Sequence, residues 1–434
     1  MTASHSVELP RHLRWRLLTP ASRLDLDSRI RIRPFRSTWF LTHPDDIQHV
    51  LVTAADKYVK TPFLTSPAGR RRAGSGLLTS TGAEHMRQRR LLQPLFHRRA
   101  VEKFESVIDE RAERWIGSKR PGDVIDLAAE MADLTQRVIL SVLFGDELDP
   151  AAENRLARAI RHRRRYTEYV YFGWLPWRDR LPTRVLRDSR RAVAVIDEVV
   201  SAILARRRPR FDPGQESGEE GDLIDGLICA TYADGSRMTD AQIRDEVLTL
   251  TSTGYETLGE ALTWAWYRLA LHPEVEARLL DGCGEGGDGV APEAAAYAER
   301  ILAETMRLHP PTWVFARIPI EDDALPVGGP VSPGDTLLIC QYVLHRHPSF
   351  FPDPERFDPD RFAGERPSRW AYLPFGDGAH KCIGEHLARL EGVRILLRVA
   401  PRLRFRLLDP DGVEPYGGIT LRPRGGLPAR VEVR

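Results

Sequence analysis

Hydrophobic positions recur at helical spacing along most of the chain. Within residues 101–117, Phe104, Ile108 and Trp115 fall roughly on one face of a helix, and residues 188–208 form a second long amphipathic pattern. Alternating or β-branched runs are confined to a few short segments. The predicted strands cover residues 30–35, 38–42, 327–338 and 420–433. The pattern therefore predicts a mainly α protein with small β-sheets at one side.

The longest predicted helix runs from Asp240 to about Leu271. Thr239 is a favourable N-cap, Gln242 completes a capping box, and Pro273 ends the helix. At about 1.5 Å per residue, such a helix is roughly 50 Å long. Because this length crosses a whole domain, we expect part of the helix to lie in the interior.

The middle of this helix, 250-LTSTGYETLGEA-261, contains residues that weaken helices. Gly254 costs about 1 kcal/mol relative to alanine, and the hydroxyl side chains compete for backbone hydrogen bonds. Leu250, Gly254 and Thr257 share one face, and Glu256 adjoins it. Two interpretations stay open: a helix contact that needs glycine, or a helix opened beside a ligand, where Glu256 and Thr257 handle protons.

Two further motifs lie downstream. Glu304 and Arg307 are three residues apart on a predicted helix, so they can touch, and their apolar neighbours indicate a partly buried pair that fixes geometry. The stretch 351-FPDPERFDPDRF-362 has three prolines and alternating charges, which exclude helix and central strand. It predicts a loop whose Arg356 joins the pair; an ordinary surface turn is the alternative.

Charge and length narrow the possible classes of protein. The 434 residues carry a formal net charge of +2, which gives no electrostatic case for nucleic acid, and arginine runs such as 161–165 are interpreted as solvated helix faces. The Gly-rich segments 213–222 and 281–292 are interpreted as surface loops rather than linkers. We therefore expect residues 1–434 to form a single domain.

The N-terminal sequence and the spacing of the cysteines indicate neither a targeting signal nor a disulfide framework. The first twenty residues contain no apolar run of the length of a signal peptide or membrane anchor. The four cysteines are far apart in sequence, which argues against disulfides. These features predict a cytoplasmic protein without a membrane anchor.

One cysteine lies in an unusual setting, 371-AYLPFGDGAHKCIGEHLARLE-391. Asp377-Gly378 signals a turn before Cys382, and Gly384 opens a helix after it. We expect the positive end of that helix to lower the pKa of the Cys382 thiol. The glycines allow a flat ligand to lie against the backbone.

Three hypotheses compete for Cys382. A zinc site with His380 and His386 lacks a Cys-x-x-Cys or His-x3-His pair and a fourth ligand. A buried structural cysteine is the ordinary alternative, although Gly-rich turns do not build apolar cores. A thiolate ligand to haem iron needs one cysteine and a flat site, and it explains all of these features.

The residues Phe375-x-x-Gly378-x-x-x-Cys382-x-Gly384 resemble the haem-binding signature of the cytochrome P450 haem-thiolate monooxygenases. Three further motifs of that family follow the expected order: the oxygen-activating helix segment at residues 254–257, Glu304-x-x-Arg307, and the loop at residues 354–357. A weaker match at residues 84–90 extends the resemblance over nearly the whole chain.

The resemblance implies the cytochrome P450 fold, with a long central helix over haem b. Cys382 would be the iron ligand, while Glu256 and Thr257 would be the catalytic pair that delivers protons. Cofactor binding would fall to His85, Arg89, Arg317, Phe375, His380, Cys382 and Gly384. The expected substrate pocket comprises Leu250, Thr253, Gly254, Trp313, Val314 and Phe315, and the structural network comprises Glu304, Arg307 and Arg356. Thr253 departs from the family, which usually has alanine or glycine there.

The activity implied is insertion of one oxygen atom from O2 into a lipophilic small molecule of secondary metabolism, such as a terpenoid, a fatty acyl chain or a polycyclic natural product. Electrons would come from a separate ferredoxin or flavodoxin with its NAD(P)H-dependent reductase, docked near Arg90, Arg98, Arg99 and Lys381. The aromatic stretch 166–177 lies where the family has its access lid, and a monomer is expected. A peroxide-driven peroxygenase and a non-catalytic haem sensor are the alternatives.

Overall fold

The computed structural model describes residues 6–8, 30–33, 38–171, 183–211, 221–283, 291–364 and 368–434. Several predicted features lie partly or wholly outside these residues. They are the end of the first predicted strand at 34–35, most of the two Gly-rich loops, and residues 172–177 of the predicted lid.

The described part of the chain is mostly helical. The α-helices are α1 (Pro44–Gln48), α2 (Pro62–Thr65), α3 (Pro67–Ala73), α4 (Gly82–Leu92), α5 (Arg98–Glu102), α6 (Glu105–Gly117), α7 (Leu127–Phe144), α8 (Pro150–Tyr171), α9 (Arg184–Arg207), α10 (Leu223–Cys229), α11 (Asp240–Thr253), α12 (Glu256–Leu271), α13 (Pro273–Asp281), α14 (Pro292–Leu308), α15 (Gln341–Leu344) and α16 (Glu385–Val399). A π-helical turn, His49–Thr53, follows α1.

The strands are short and form small sheets. They are β1 (Ser6–Glu8), β2 (Ile30–Arg33), β3 (Thr38–Leu41), β4 (Tyr58–Val59), β5 (Val124–Asp126), β6 (Phe315–Pro319), β7 (Asp323–Leu325), β8 (Gly329–Val331), β9 (Thr336–Ile339), β10 (Leu403–Leu407), β11 (Pro415–Gly417), β12 (Leu421–Pro423) and β13 (Pro428–Val433). The largest sheet has the order β1-β2-β3-β9-β6-β4, and a second has the order β10-β13-β5.

Sheet pairing joins distant parts of the sequence. Strand β3 runs parallel to β9 with Phe40 opposite Leu338, and β6 runs antiparallel to β9 with Phe315 opposite Ile339. Strand β5 pairs with the C-terminal strand β13. The mainly α architecture with small sheets is confirmed, whereas the assignment of residues 1–434 to one domain stays a prediction.

Helix α7 lies at the centre of the core and is apolar on nearly all sides. Leu127, Met131, Val138 and Phe144 on this helix are all completely buried. Gly259 of α12 has no room for a side chain, because an added Cβ would lie 3.1 Å from Ala132 on α7. Close packing of these two helices therefore holds α12 in the interior.

The helix predicted from Asp240 to Leu271 is interrupted in its middle. Its N-terminal capping box and its end before Pro273 are as expected, but α11 stops at Thr253 and α12 begins at Glu256. The carbonyl of Tyr255, at the interruption, accepts a second hydrogen bond from the hydroxyl of Thr135 on α7, at 2.9 Å. The weak helix formers at residues 251–254 explain why the break falls here.

Candidate active site

The loop before Cys382 is shaped by glycines. Gly376 and Gly378 have φ angles of 66° and 69°, which side chains on L-residues rarely adopt. A Cβ at Gly378 would also collide with the carbonyl of Leu51 in the π-helical turn. The backbone N–H of Cys382 donates to the carbonyl of Phe375 at 2.9 Å, which closes the loop. These contacts fix the direction of the Cys382 side chain.

Cys382 lies deep in the molecule, yet its side chain adjoins open space instead of packed atoms. Burial raises the pKa of its thiol, and a hydrogen bond from the backbone of Gly384 opposes that shift. The expectation of a lowered pKa is therefore wrong for the free thiol, because desolvation outweighs the helix end. A bound metal ion reverses this balance, since a coordinating thiol is deprotonated outright.

Five basic side chains collect next to this loop: Lys60, His85, Arg89, Arg317 and His380. The His85 and His380 rings are in contact, with centroids 4.1 Å apart and planes tilted by 51°, and His85 Nε2 lies 3.0 Å from the carbonyl of Ala379. Arg89 donates to the carbonyl of Lys381 at 2.6 Å. Helix α4 is thereby tied to the cysteine loop.

Negative charge near this cluster is weak: Glu246 acts on Lys60 through space, but burial raises the pKa of its carboxyl to about 7. Burial lowers the pKa of Arg317 to about 10, of Lys60 to about 7, of His85 to about 4 and of His380 to about 2, and repulsion within the cluster adds to the effect for all but Arg317. Among the described residues, no side-chain carboxylate is hydrogen-bonded to any of the five. Nδ1 of His380 is buried without a partner. The cluster is suited to a dianionic ligand.

Lys60 was not predicted, because no motif marks it. Its ammonium donates to the carbonyls of Leu77, Leu78 and Ser80 at 2.9–3.1 Å. Burial of a lysine after a two-residue strand leaves no periodic signal in the sequence.

Glu256, the first residue after the helix break, is held by residues from other elements. Its Oε1 accepts from Arg164 of α8 and from the hydroxyl of Thr420, both at 2.8 Å. Arg164 also lies 3.4 Å from Glu168, which accepts from Arg422 at 2.6 Å. Interpreting residues 161–165 as a solvated face was therefore wrong for Arg164, since this run of arginines reaches the central helix.

The hydroxyl of Thr257 donates to the carbonyl of Thr253 at 3.0 Å, across the interruption between α11 and α12. Ser252 and Thr253 are exposed, although the helix on either side of them is buried. This helix face therefore borders open space.

Two predicted pocket residues pack in the core. Leu250 belongs to the main hydrophobic core and is 7% exposed. Trp313 is buried against Phe40 and Leu421, and its indole N–H donates to the carbonyl of Gly418 at 2.9 Å. Their assignment to the pocket stays a prediction, because apolar character alone does not separate a pocket wall from packing.

The other predicted pocket residues have mixed positions. Gly254 allows close approach of α7, since an added Cβ would lie 3.2 Å from Ile139. Val314 and Phe315 are half-buried at the edges of two smaller apolar clusters.

Glu304 and Arg307 form a fully buried bidentate pair, with distances of 2.7 and 2.8 Å. Arg356 joins them through its backbone alone: its carbonyl accepts from Arg307 at 3.0 Å, whereas its side chain is 70% exposed and lies 4.0 Å from Asp358. The second arginine side chain near Glu304 is that of Arg361, at 3.5 Å. The role predicted for the Arg356 side chain was wrong, because Pro359-Asp360-Arg361-Phe362 repeats the same pattern one step later.

The zinc hypothesis finds no support in the described residues, where no three His, Cys, Asp or Glu side chains are placed to hold a metal ion. Within the same residues, no helix combines the length and the apolar character needed to cross a membrane.

A sequence profile of the cytochrome P450 family matches residues 29–418. The chain belongs to the cytochrome P450 family. This P450 is 34% identical over 411 residues to cyclooctatin synthase of Streptomyces melanosporofaciens, covering 91% of this chain and 84% of the relative. It is 30% identical over 424 residues to pentalenene oxygenase of Streptomyces avermitilis, covering 94% and 90%.

The fold agrees with that of solved P450 structures. The crystal structure of the cytochrome P450DA heme domain superposes with a TM-score of 0.80, at 24% identity, over 100% of this chain and 99% of that one. Membership of the family makes this protein a haem-thiolate monooxygenase. The observed residues fit the cofactor, because Cys382 adjoins open space and five basic groups, none of them hydrogen-bonded to a carboxylate in the described residues, lie beside its loop.

Proposed function

We propose that this P450 uses haem b to insert one oxygen atom from O2 into a lipophilic terpenoid, with electrons from a separate ferredoxin or flavodoxin and its NAD(P)H-dependent reductase. The basic cluster beside Cys382 carries the proposal, because its positive charge suits the two propionates of protoporphyrin IX. The terpenoid class is supported by two relatives, which are named pentalenene oxygenase and cyclooctat-9-en-7-ol 5-monooxygenase.

Each element of the site has a distinct task in this proposal. Cys382 would ligate the iron, and the five basic residues would hold the propionates by charge-assisted hydrogen bonds. The haem, when bound, supplies the activation of O2. Glycines at 376 and 378 keep the loop in the conformation that presents the sulfur.

Proton handling would fall to Glu256 and Thr257. Thr257 Oγ1 holds its proton against the carbonyl of Thr253, next to the open space beside α11. Glu256 is connected through Arg164 and Glu168 to Arg422, which is partly exposed. Because arginine keeps its proton in proteins, Arg164 and Arg422 would position the carboxylate that handles protons and would not relay protons themselves.

The electron donor would bind on the side of helix α5. Arg90, Arg98 and Arg99 are exposed there, and Lys381 of the cysteine loop is partly exposed. Because all four are basic, an acidic partner would be steered to this face. A monomer is the proposed functional state.

The carbonyl complex of the reduced, haem-loaded protein tests the ligand. A thiolate ligand gives a strongly red-shifted Soret band, and replacement by Cys382→His should abolish that shift while haem stays bound. A wild-type spectrum of the unshifted, imidazole type would overturn the assignment of Cys382. Turnover with NAD(P)H and surrogate electron carriers, but not with peroxide alone, separates the monooxygenase from a peroxygenase.

A further inference from the structure

The C-terminal end of α11 exposes hydroxyl side chains. Ser252 and Thr253 adjoin open space, and Thr257 lies one turn further on. Thr249 lies one turn before them; it is 6% exposed and packs beside Gly76, and its Oγ1 has no hydrogen-bond partner among the described residues. A pocket wall for a hydrocarbon needs none of the three hydroxyls at 252, 253 and 257, and covering them with apolar groups costs their hydration.

The hydrogen bonds of this face determine what it can recognise. Thr253 Oγ1 donates to the carbonyl of Thr249 at 2.8 Å, and Thr257 Oγ1 donates to the carbonyl of Thr253 at 3.0 Å. A hydroxyl has one proton to donate and two lone pairs. Both threonines have therefore committed their protons to the backbone, and they present only acceptors to the site.

We infer that this P450 takes a terpenoid that already carries a hydroxyl group, and that Ser252 and Thr253 anchor that hydroxyl. An alcohol supplies the proton that the Thr253 acceptor requires. A ketone or an aldehyde offers only an acceptor, which Ser252 alone can match, and a hydrocarbon matches neither residue. The inference rests on the proposed function, since it specifies the substrate of the same site.

The inference also implies which kind of reaction must precede the one that this enzyme catalyses. The substrate must come from a step that has already installed a hydroxyl group. A cyclase that ends its reaction by capturing water and an earlier hydroxylase both satisfy this requirement. The product would accordingly carry at least two oxygen functions.

Equilibrium binding to the haem-loaded protein, followed by the Soret shift, tests the inference. The probes are sets of terpenes that share one skeleton and differ in bearing no oxygen, a hydroxyl or a carbonyl, such as abietadiene, abietadienol and abietadienal. We expect the alcohol to bind about 3- to 10-fold more tightly than its two counterparts, as for one hydrogen bond in a water-poor site. If the alcohol is not the tightest-binding member in any of these sets, the inference is wrong.

Variants on the two sides of α11 locate the effect. Thr253→Val and Ser252→Ala should each reduce the preference for the alcohol. Thr251→Val is the matched control: Thr251 is buried and donates to the carbonyl of Val247 at 2.6 Å, away from the exposed face. A preference that survives both test variants overturns the anchoring role.

The two proposals fail in different ways. Loss of the red-shifted carbonyl band would contradict the haem-thiolate site itself. A normal band without any preference for alcohols would contradict only the substrate inference.

Discussion

The carboxylate of Glu256, on helix α12, lies 2.8 Å from the guanidinium of Arg164, on helix α8. The only other hydrogen bond to this carboxylate in the described residues comes from Thr420. The two members of the predicted catalytic pair therefore have different partners: Thr257 bonds within its own helix, and Glu256 bonds to α8 and to a β-strand connection.

Removing Arg164 should destabilise the protein and disturb Glu256. Arg164→Gln leaves a buried carboxylate with one remaining partner, which should lower the free energy of unfolding by about 1–3 kcal/mol. Urea denaturation measures the change. Arg155→Gln is the control, because Arg155 forms an exposed pair with Glu198 worth about 0.2–1 kcal/mol at most. Equal effects of the two variants would contradict a positioning role for Arg164.

Replacement of Thr257 should separate electron consumption from product formation. Thr257→Ala removes the hydroxyl beside the helix break, and we expect the product formed per NAD(P)H consumed to fall by about tenfold or more. Thr257→Ser keeps the hydroxyl and should retain most of the coupling. Unchanged coupling in the alanine variant would remove Thr257 from the proton path.

Arg361 and Arg356 should differ sharply in their importance for stability. Arg361 lies near Glu304 and donates to the carbonyls of Pro352 and Asp353 at 2.8 and 3.3 Å. Arg361→Ala should lower the free energy of unfolding by about 2–4 kcal/mol, whereas Arg356→Ala should change it by less than about 0.5 kcal/mol. A larger loss in the Arg356 variant would restore the assignment made from sequence.

Glu246 should make stability depend on pH. It is fully buried, its Oε2 accepts from the backbone of Leu77 at 3.0 Å, and burial raises its pKa from 4.5 to about 7. The folded state thus holds this proton more tightly than the unfolded state. The resulting stability is complete below pH 4.5 and is lost as pH rises to about 7.

Glu246→Gln isolates this contribution. The quantity to compare is the free energy of unfolding of the wild type minus that of the variant. This difference should fall by up to about 3 kcal/mol as the pH rises from the pKa of Glu246 in the unfolded state to its pKa in the folded state. Unfolding in urea at a series of pH values gives this difference. A difference that does not vary with pH would show that Glu246 is not protonated in the folded chain.

Local signals predicted those parts of the fold that depend on neighbouring residues. The capping box at Thr239 and Gln242 and the stop at Pro273 are set by nearby backbone groups, and both occur as expected. The Glu304–Arg307 contact follows from helical spacing. The break at Gly254 was open to two interpretations, and both features are present: close packing on Ile139 and an interrupted helix.

Contacts between distant segments were beyond the sequence. Lys60 enters the basic cluster through tertiary packing, and Arg164 reaches Glu256 from a helix nearly a hundred residues earlier. The placing of Leu250 and Trp313 in the pocket stays a prediction, because burial in a core and exposure to a pocket leave the same hydrophobic signal. The side chain of Arg356 was misassigned because two similar segments follow one another.

The basic cluster beside Cys382 has a consequence for how the protein is made. Lys60, Arg89 and Arg317 repel one another or lose hydration in the folded chain, so folding without an anion is opposed at this point. A ligand that binds the folded state alone stabilises it by mass action. The yield of folded protein in a producing cell should therefore follow the supply of haem during synthesis. When haem is scarce, the first effect should be a smaller amount of folded protein.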